Sequence, residues 1–170
     1  MTLLPFSIRP ELPEDSAAID HLHAISFGPG RYARAAFRVR EGVPHDMGTS
    51  FTATLDGEMI GSVRLTPILI DETEAMLLGP LAVVPKVKGR GAGRALMMEC
   101  MHAAKQQGVD FVLLVGDVPY YGPFGFQAAP RGSIVFPAPV DPARVLLADL
   151  REEPQGLPKG IVIARQPVAA

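Results

Sequence analysis

The sequence predicts an α/β (α+β) fold: a mixed central sheet with a bulged strand and flanking helices. Three stretches carry that prediction. Met76 to Val84 is an unbroken apolar run, as in a strand buried on both faces. Gly91 to Gln107 repeats apolar residues at helical spacing, and Phe111 to Val115 is apolar throughout. Strand, helix and strand in succession form a βαβ unit, with parallel strands and a right-handed crossover. Ligands in such sheets sit outside the carboxyl ends of the strands.

The remaining elements follow in chain order. Pro5 to Arg9 reads as a short strand closed by Pro10. Pro13 to Phe27 reads as a helix with Ala17, Ala18, Leu22 and Ile25 on one face, broken by Gly28, Pro29 and Gly30. Arg31 to Arg40 reads as a second helix, in which Tyr32, Ala35, Ala36 and Val39 recur at helical spacing. Its Arg31, Arg34, Arg38 and Arg40 read first as a solvated face and second as a hold for an acidic substrate. Residues 42–48 are a loop. Ser50 to Leu55 and Met59 to Thr66 flank Asp56-Gly57, a two-residue hairpin signal, and Pro67 to Ile70 extend the second arm. Asp71 to Ala75 is an acidic turn.

Gly79-Pro80 marks a deformation inside the central run, because proline donates no ladder bond and glycine accompanies bulges. On the long helix Ala92, Leu96, Met97, Cys100, Ala103 and Ala104 share the apolar face, and Gly108 suits the position after its end. Asp117 reads as the cap of a short helical turn, and Gly125-Phe126 leads into a weak strand. Asp141-Pro142 reads as the start of a helix through Leu150. Glu152 to Gly160 is a loop, Ile161 to Ala164 a last strand, and Gln166 to Ala170 a frayed tail.

Composition narrows the function classes. At 170 residues one domain is expected, and 48% apolar residues support a full core. With 18 acids against 16 bases the net charge is −2, which argues against nucleic-acid binding. A single cysteine permits no intramolecular disulfide and fits a reducing cytoplasm; on the apolar helix face, Cys100 reads as core. No signal peptide and no run of transmembrane length are read, so no membrane partner is expected. No metal-ligand spacing occurs.

The chemistry concentrates after Pro85. Lys86, Lys88 and Arg90 alternate with Val87, Gly89 and Gly91, and Gly93-Arg94 follow at the helix start. Glycines let the backbone approach a ligand, and first-turn N–H groups have no intrahelical partner, so an anion with several charges is expected here. Three readings compete: an ordinary βα turn, a dinucleotide fold and a coenzyme A site. Gly89 and Gly91 fit G-x-G-x-x-G, but Arg94 stands where the third glycine packs helix on strand. No G-K-[ST] P-loop occurs.

The coenzyme A reading rests on a resemblance. Val83-Val84-Pro85 followed by Lys88-Gly89-Arg90-Gly91-Ala92-Gly93 resembles the V-x-P and [QR]-x-x-G-x-[GA] signature of the GNAT family of N-acetyltransferases. Tyr121-Gly122-Pro123-Phe124-Gly125-Phe126 resembles the family's tyrosine followed by Gly-Phe, and VGDVPYYGPFGF looks like a bacterial subgroup. The similarity spans roughly residues 6 to 130. It implies the acyl-CoA N-acyltransferase fold, with residues 131–170 a proline-rich extension of the same domain. It also implies acetyl-CoA as cofactor, an amine of a small molecule or peptide as acceptor, and a homodimer as one possible assembly.

By the same resemblance, Lys88, Gly89, Arg90, Gly91, Gly93 and Arg94 hold the pyrophosphate. Leu81 and Val83 offer main-chain bonds to the pantetheine arm, and Tyr121 protonates the departing thiolate. Lys88 departs from the usual Gln or Arg and acts as a point charge. Leu77 and Leu78 stand where many members carry a glutamate base, leaving Glu74, Asp117, His45 or water. Glu74 and Asp117 read first as a solvated turn residue and a helix cap, and His45 as an exposed loop residue. One of His21 and His23 faces solvent, His102 has no role, and Tyr120 packs. The missing glutamate keeps open a non-catalytic acyl-CoA sensor.

Overall fold

The computed structural model describes residues 6–28, 30–31 and 34–166. Its strands are β1 (Ser7–Pro10), β2 (Phe51–Leu55), β3 (Glu58–Ile70), β4 (Thr73–Val83), β5 (Phe111–Val115), β6 (Gln127–Ala128), β7 (Ile134–Val135), β8 (Val145–Asp149) and β9 (Gly160–Ala164). Its helices are α1 (Ser16–Phe27), α2 (Ala35–Arg40), α3 (Ala92–Gln106) and α4 (Val118–Tyr121). The sheet runs β1-β2-β3-β4-β5-β8-β6, with β9 pairing β3 and β7. The expected assignments for Pro5, Tyr32 and residues 167–170 lie outside the described residues.

The hairpin forms as its turn dictates. Asp56 and Gly57 both take positive φ, 52° and 78°, the geometry whose twist matches the flanking strands. The second turn is shorter than expected. Thr73, Glu74 and Ala75 pair with Ile70, Leu69 and Ile68, so only Asp71 and Glu72 remain between β3 and β4. Continued apolar pairing along β3 outweighs the acidic composition of that stretch.

β4 is the pivot. It is antiparallel to β3 and parallel to β5, but the parallel ladder covers only Met76–Val112 and Leu77–Leu113. Beyond Leu77 the two strands part. The expected deformation is there: Leu65 faces Leu78 and Val63 faces Leu81, so Gly79 and Pro80 sit against a single residue, Arg64. Met76 and Leu78 pack under α3 while Leu77 packs on the opposite face with Val39, Ile68 and Leu113. Both faces are buried, which is why the run shows no alternation. α3 buries Ala92, Leu96, Met97, Cys100, Met101 and Ala104, close to the expected face, with Ala103 half-buried.

Several expectations need correction. α1 follows a 3-10 turn, Pro13–Asp15, and buries Ile19, Leu22 and His23 while Ala17, Ala18 and Ile25 are exposed. The i, i+3, i+4 stripe carrying the bulky Ile19 wins over the alanine stripe. α2 begins at Ala35, after an extended Arg34. Asp141 does cap, accepting from Ala143 N at 2.9 Å, but the turn lasts only Pro142–Arg144. The next residues form β8, paired with β5 from Phe111–Asp149 to Val115–Val145. A run such as Val-Leu-Leu-Ala fits a helix or a strand, and the open edge of β5 decides it. The C-terminal segment thus supplies β7, β8 and β9 to the sheet.

Candidate active site

A cleft of about 600 Å³ opens beyond the end of β4. It brings together Leu81 and Val83, then Lys88, Gly89, Gly91, Gly93 and Arg94, and finally Tyr121 of α4. Arg90 is half-buried and not on its wall. A 3-10 turn at Pro85–Val87 ties the loop to the core through buried Val87. Gly89 and Gly91 then take φ of 78° and 98°, a left-handed geometry that favours glycine. Gly91 precedes α3 directly, and the first intrahelical bond runs from Ala95 N to Gly91 O. The N–H groups of Ala92, Gly93 and Arg94 therefore have no intrahelical acceptor. Lys86 does not join them; its ammonium lies 3.1 Å from Glu58.

Two further glycines seat the tyrosines. A Cβ on Gly93 would come 2.7 Å from the Tyr120 hydroxyl, and one on Gly116 would collide with the Tyr121 ring. Tyr120 packs edge-on against Tyr121 at 4.7 Å. Burial, with Tyr120 beside it, pushes the Tyr121 phenol up to about 12.

A second cleft, about 720 Å³, fills the gap where β4 leaves β5. Leu78 to Leu81 form one wall, Leu114 to Gly116 the other, and Arg34 and Arg40 stand across it. It shares Leu81, Tyr120 and Tyr121 with the first cleft. Asp117 is here too, but it makes no cap; its Oδ1 accepts from Arg144 Nε at 3.0 Å.

Behind Pro80 and Arg40 lies a third cleft, about 310 Å³. His45 is not an exposed loop residue: its Nε2 lies 2.7 Å from Glu11 Oε2, and Arg64 donates twice to the same carboxylate at 3.0 and 3.1 Å. Burial alone would raise the Glu11 carboxyl, but the hydrogen bonds from His45 and Arg64 hold it below its ordinary value. His21 is exposed and His23 buried; His23 Nε2 has no hydrogen-bond partner. Burial, and then Arg64, Arg40 and Arg31, push His23 down to about 4, so it is neutral at pH 7.

Other candidates fall away. Glu74 pairs with Arg165 and lines a separate cleft with Gln107. Burial raises the Cys100 thiol to about 12, which leaves it a core residue. His102 is exposed on α3. Among the described residues no His, Cys, Asp and Glu group could hold a metal, and no helix is long and apolar enough to cross a membrane. The dinucleotide reading lacks its doubly wound parallel sheet, since β4 is antiparallel to β3 and β5 to β8. Sequence reasoning missed the cluster of Glu11, His23, Arg40 and Arg64. Its one local signal is Arg64, a lone cation within the apolar β3 and opposite the bulge.

Comparison with known proteins agrees with this architecture. The model of the acetyltransferase (GNAT) family matches residues 17–126. The N-acetyltransferase YhbS of Escherichia coli is 32% identical over 124 residues, 72% of this chain and 74% of that protein. The crystal structure of YhbS in complex with CoA superposes with a TM-score of 0.80 at 27% identity, covering 97% of this chain and 92% of that one. A GNAT acetyltransferase of Brucella melitensis in complex with acetyl-CoA superposes with a TM-score of 0.70 at 26% identity, covering 94% and 96%.

Proposed function

The chain belongs to the acetyltransferase (GNAT) family and is an acetyl-CoA-dependent N-acetyltransferase, and from that premise we propose how its residues act. The observation that carries the proposal is the meeting of two clefts at Leu81 and Tyr121. When bound, acetyl-CoA supplies a thioester carbonyl open to attack by an amine, with a thiolate as leaving group. The residues present fit it. The N–H groups of Ala92, Gly93 and Arg94 donate to a pyrophosphate across the turn made by Gly89 and Gly91, and Lys88 and Arg94 add positive charge. Leu81 and Val83 lie where β4 has left β5, so their main-chain groups on that edge are open to an extended arm.

Tyr121 holds the proton for the departing sulfur. Its raised pKa keeps it protonated at neutral pH, although donation to a thiolate of ordinary pKa, about 8.5, runs uphill. Enclosure of the sulfur in the same cleft narrows that gap, because burial raises a thiol as it raises a phenol. The amine must be neutral to attack, and its proton leaves through water in the open cleft. Leu77 and Leu78 offer no carboxylate, while Glu74 and Asp117 are engaged by Arg165 and Arg144. The acceptor is a small molecule or peptide, and a lone buried thiol suits a cytoplasmic protein.

Thiol release from acetyl-CoA over a panel of amines, polyamines, amino acids and peptides tests the proposal. Amine-dependent release is the expected result. No release above the buffer rate with any acceptor contradicts it and leaves an acyl-CoA sensor.

A further inference from the structure

We infer that the acceptor carries a carboxylate beside its amine, and that Arg40 holds that carboxylate between the second and third clefts. The inference rests on the acetyltransferase reading above. Arg40 is on the wall of both clefts. Its guanidinium reaches the bulge: a Cβ on Gly79 would lie 3.2 Å from Arg40 Nη1. Burial, and then Arg64, pull its pKa down to about 9, so it stays charged at neutral pH.

Among the described residues no carboxylate neutralises Arg40. Glu11 is taken by Arg64 and His45, Asp117 by Arg144, and Asp141 by Ala143 N. Asp20 and Glu41, also on the third cleft, are exposed and make no ion pair with it. The contact Arg40 does make is with the Phe37 ring, 4.5 Å from the guanidinium carbon. A half-buried cation without a counter-ion still loses hydration that nothing in the protein returns. The fold does not require it for packing, since Ala35 and Val39 already anchor α2 in the core. A bound anion removes the penalty, and the planar guanidinium matches a carboxylate with two parallel bonds.

A second observation points the same way. His23 is 6% exposed, its Nε2 has no partner, and it lines the same cleft as Arg40 and Arg64. That nitrogen is an enclosed, unsatisfied polar atom on a residue of the cleft wall, the kind of group that ordinarily finds a partner. With its acid on Arg40, the acceptor presents its amine toward Leu81 and Tyr121, where the acetyl group arrives.

Matched pairs test this: α-amino acids against their carboxamides in the thiol-release assay. A parallel calorimetric titration compares N-acetyl amino acids with their carboxamides on CoA-saturated protein. The carboxylate form should exceed its amide in kcat/KM by on the order of 30-fold or more. Arg40→Gln should collapse that ratio toward one, and Arg40→Lys should recover part of it. If Arg40→Gln does not fold, as its melting curve will show, the wild-type ratio decides alone. Carboxylates that neither turn over nor bind better than their amides overturn the inference. Thiol release with amides or polyamines would in that case leave the acetyltransferase reading standing. Absence of release from every amine would sink that reading, and the calorimetric comparison would still decide the role of Arg40.

Discussion

The two clefts that meet at Tyr121 are built differently. The first is backbone: a proline, left-handed Gly89 and Gly91, and the open N–H groups of α3, all within a few consecutive residues. The second is side chains from distant places, with Arg40 on α2, the bulge on β4, Leu114 on β5 and Tyr121 on α4. A backbone site tolerates few substitutions at its glycines and many at its side chains. A side-chain site behaves the other way. That contrast accords with a fixed nucleotide handle at one end and a variable acceptor at the other.

The largest expected effect falls where the clefts join. Tyr121→Phe keeps the ring seated on Gly116 and removes only the hydroxyl, so kcat should fall on the order of 100- to 10,000-fold with acetyl-CoA affinity little changed. Tyr120→Phe should be much milder. A Tyr121→Phe protein with wild-type kcat, under conditions where chemistry limits the rate, would assign Tyr121 to packing alone.

A smaller effect belongs to the side-chain end. His23 is neutral when folded, with a pKa near 4 against 6.5 unfolded, so between those values the unfolded chain binds more protons. Its contribution is present above pH 6.5 and is lost as pH falls toward 4, by about 3 kcal/mol in all. Glu11 and Asp15, both held below their ordinary values, add their loss only at lower pH. Denaturant melts at pH 7 and pH 5 should show His23→Phe, which suits the neighbouring Phe27 and Phe37 rings, losing less stability than wild type. Equal losses would mean that His23 is not held neutral by its surroundings.

The smallest effect is expected at the rim of the backbone cleft. Lys88 is exposed, so Lys88→Ala should weaken acetyl-CoA by only about 0.2–1 kcal/mol, and less at high salt. A loss of a hundredfold would mean that side chains, rather than the turn, hold the phosphates.

The same contrast explains what the sequence disclosed. The hairpin, the βαβ unit, the bulge and the glycine turn are local, and each has residues that few other structures accommodate. β8 is hidden in the sequence because its apolar run carries no period, and its partner β5 lies about thirty residues earlier in the chain. The acceptor side was hidden for a related reason. Glu11, His23, Arg40 and Arg64 are scattered along the chain, and only the opening between β4 and β5 gives Arg40 a meaning that its neighbours on α2 lack. Arg38, two residues away, is the solvated residue the sequence suggested.

The proposed seat of acetyl-CoA is the turn at Gly89 and Gly91. Calorimetric titration of acetyl-CoA into wild type and Gly91→Val tests it most directly. Gly91 has φ of 98°, a conformation a β-branched residue adopts only with strain. Gly91→Val should show no measurable binding alongside a retained cooperative melt. Wild-type affinity in a folded Gly91→Val protein would contradict it.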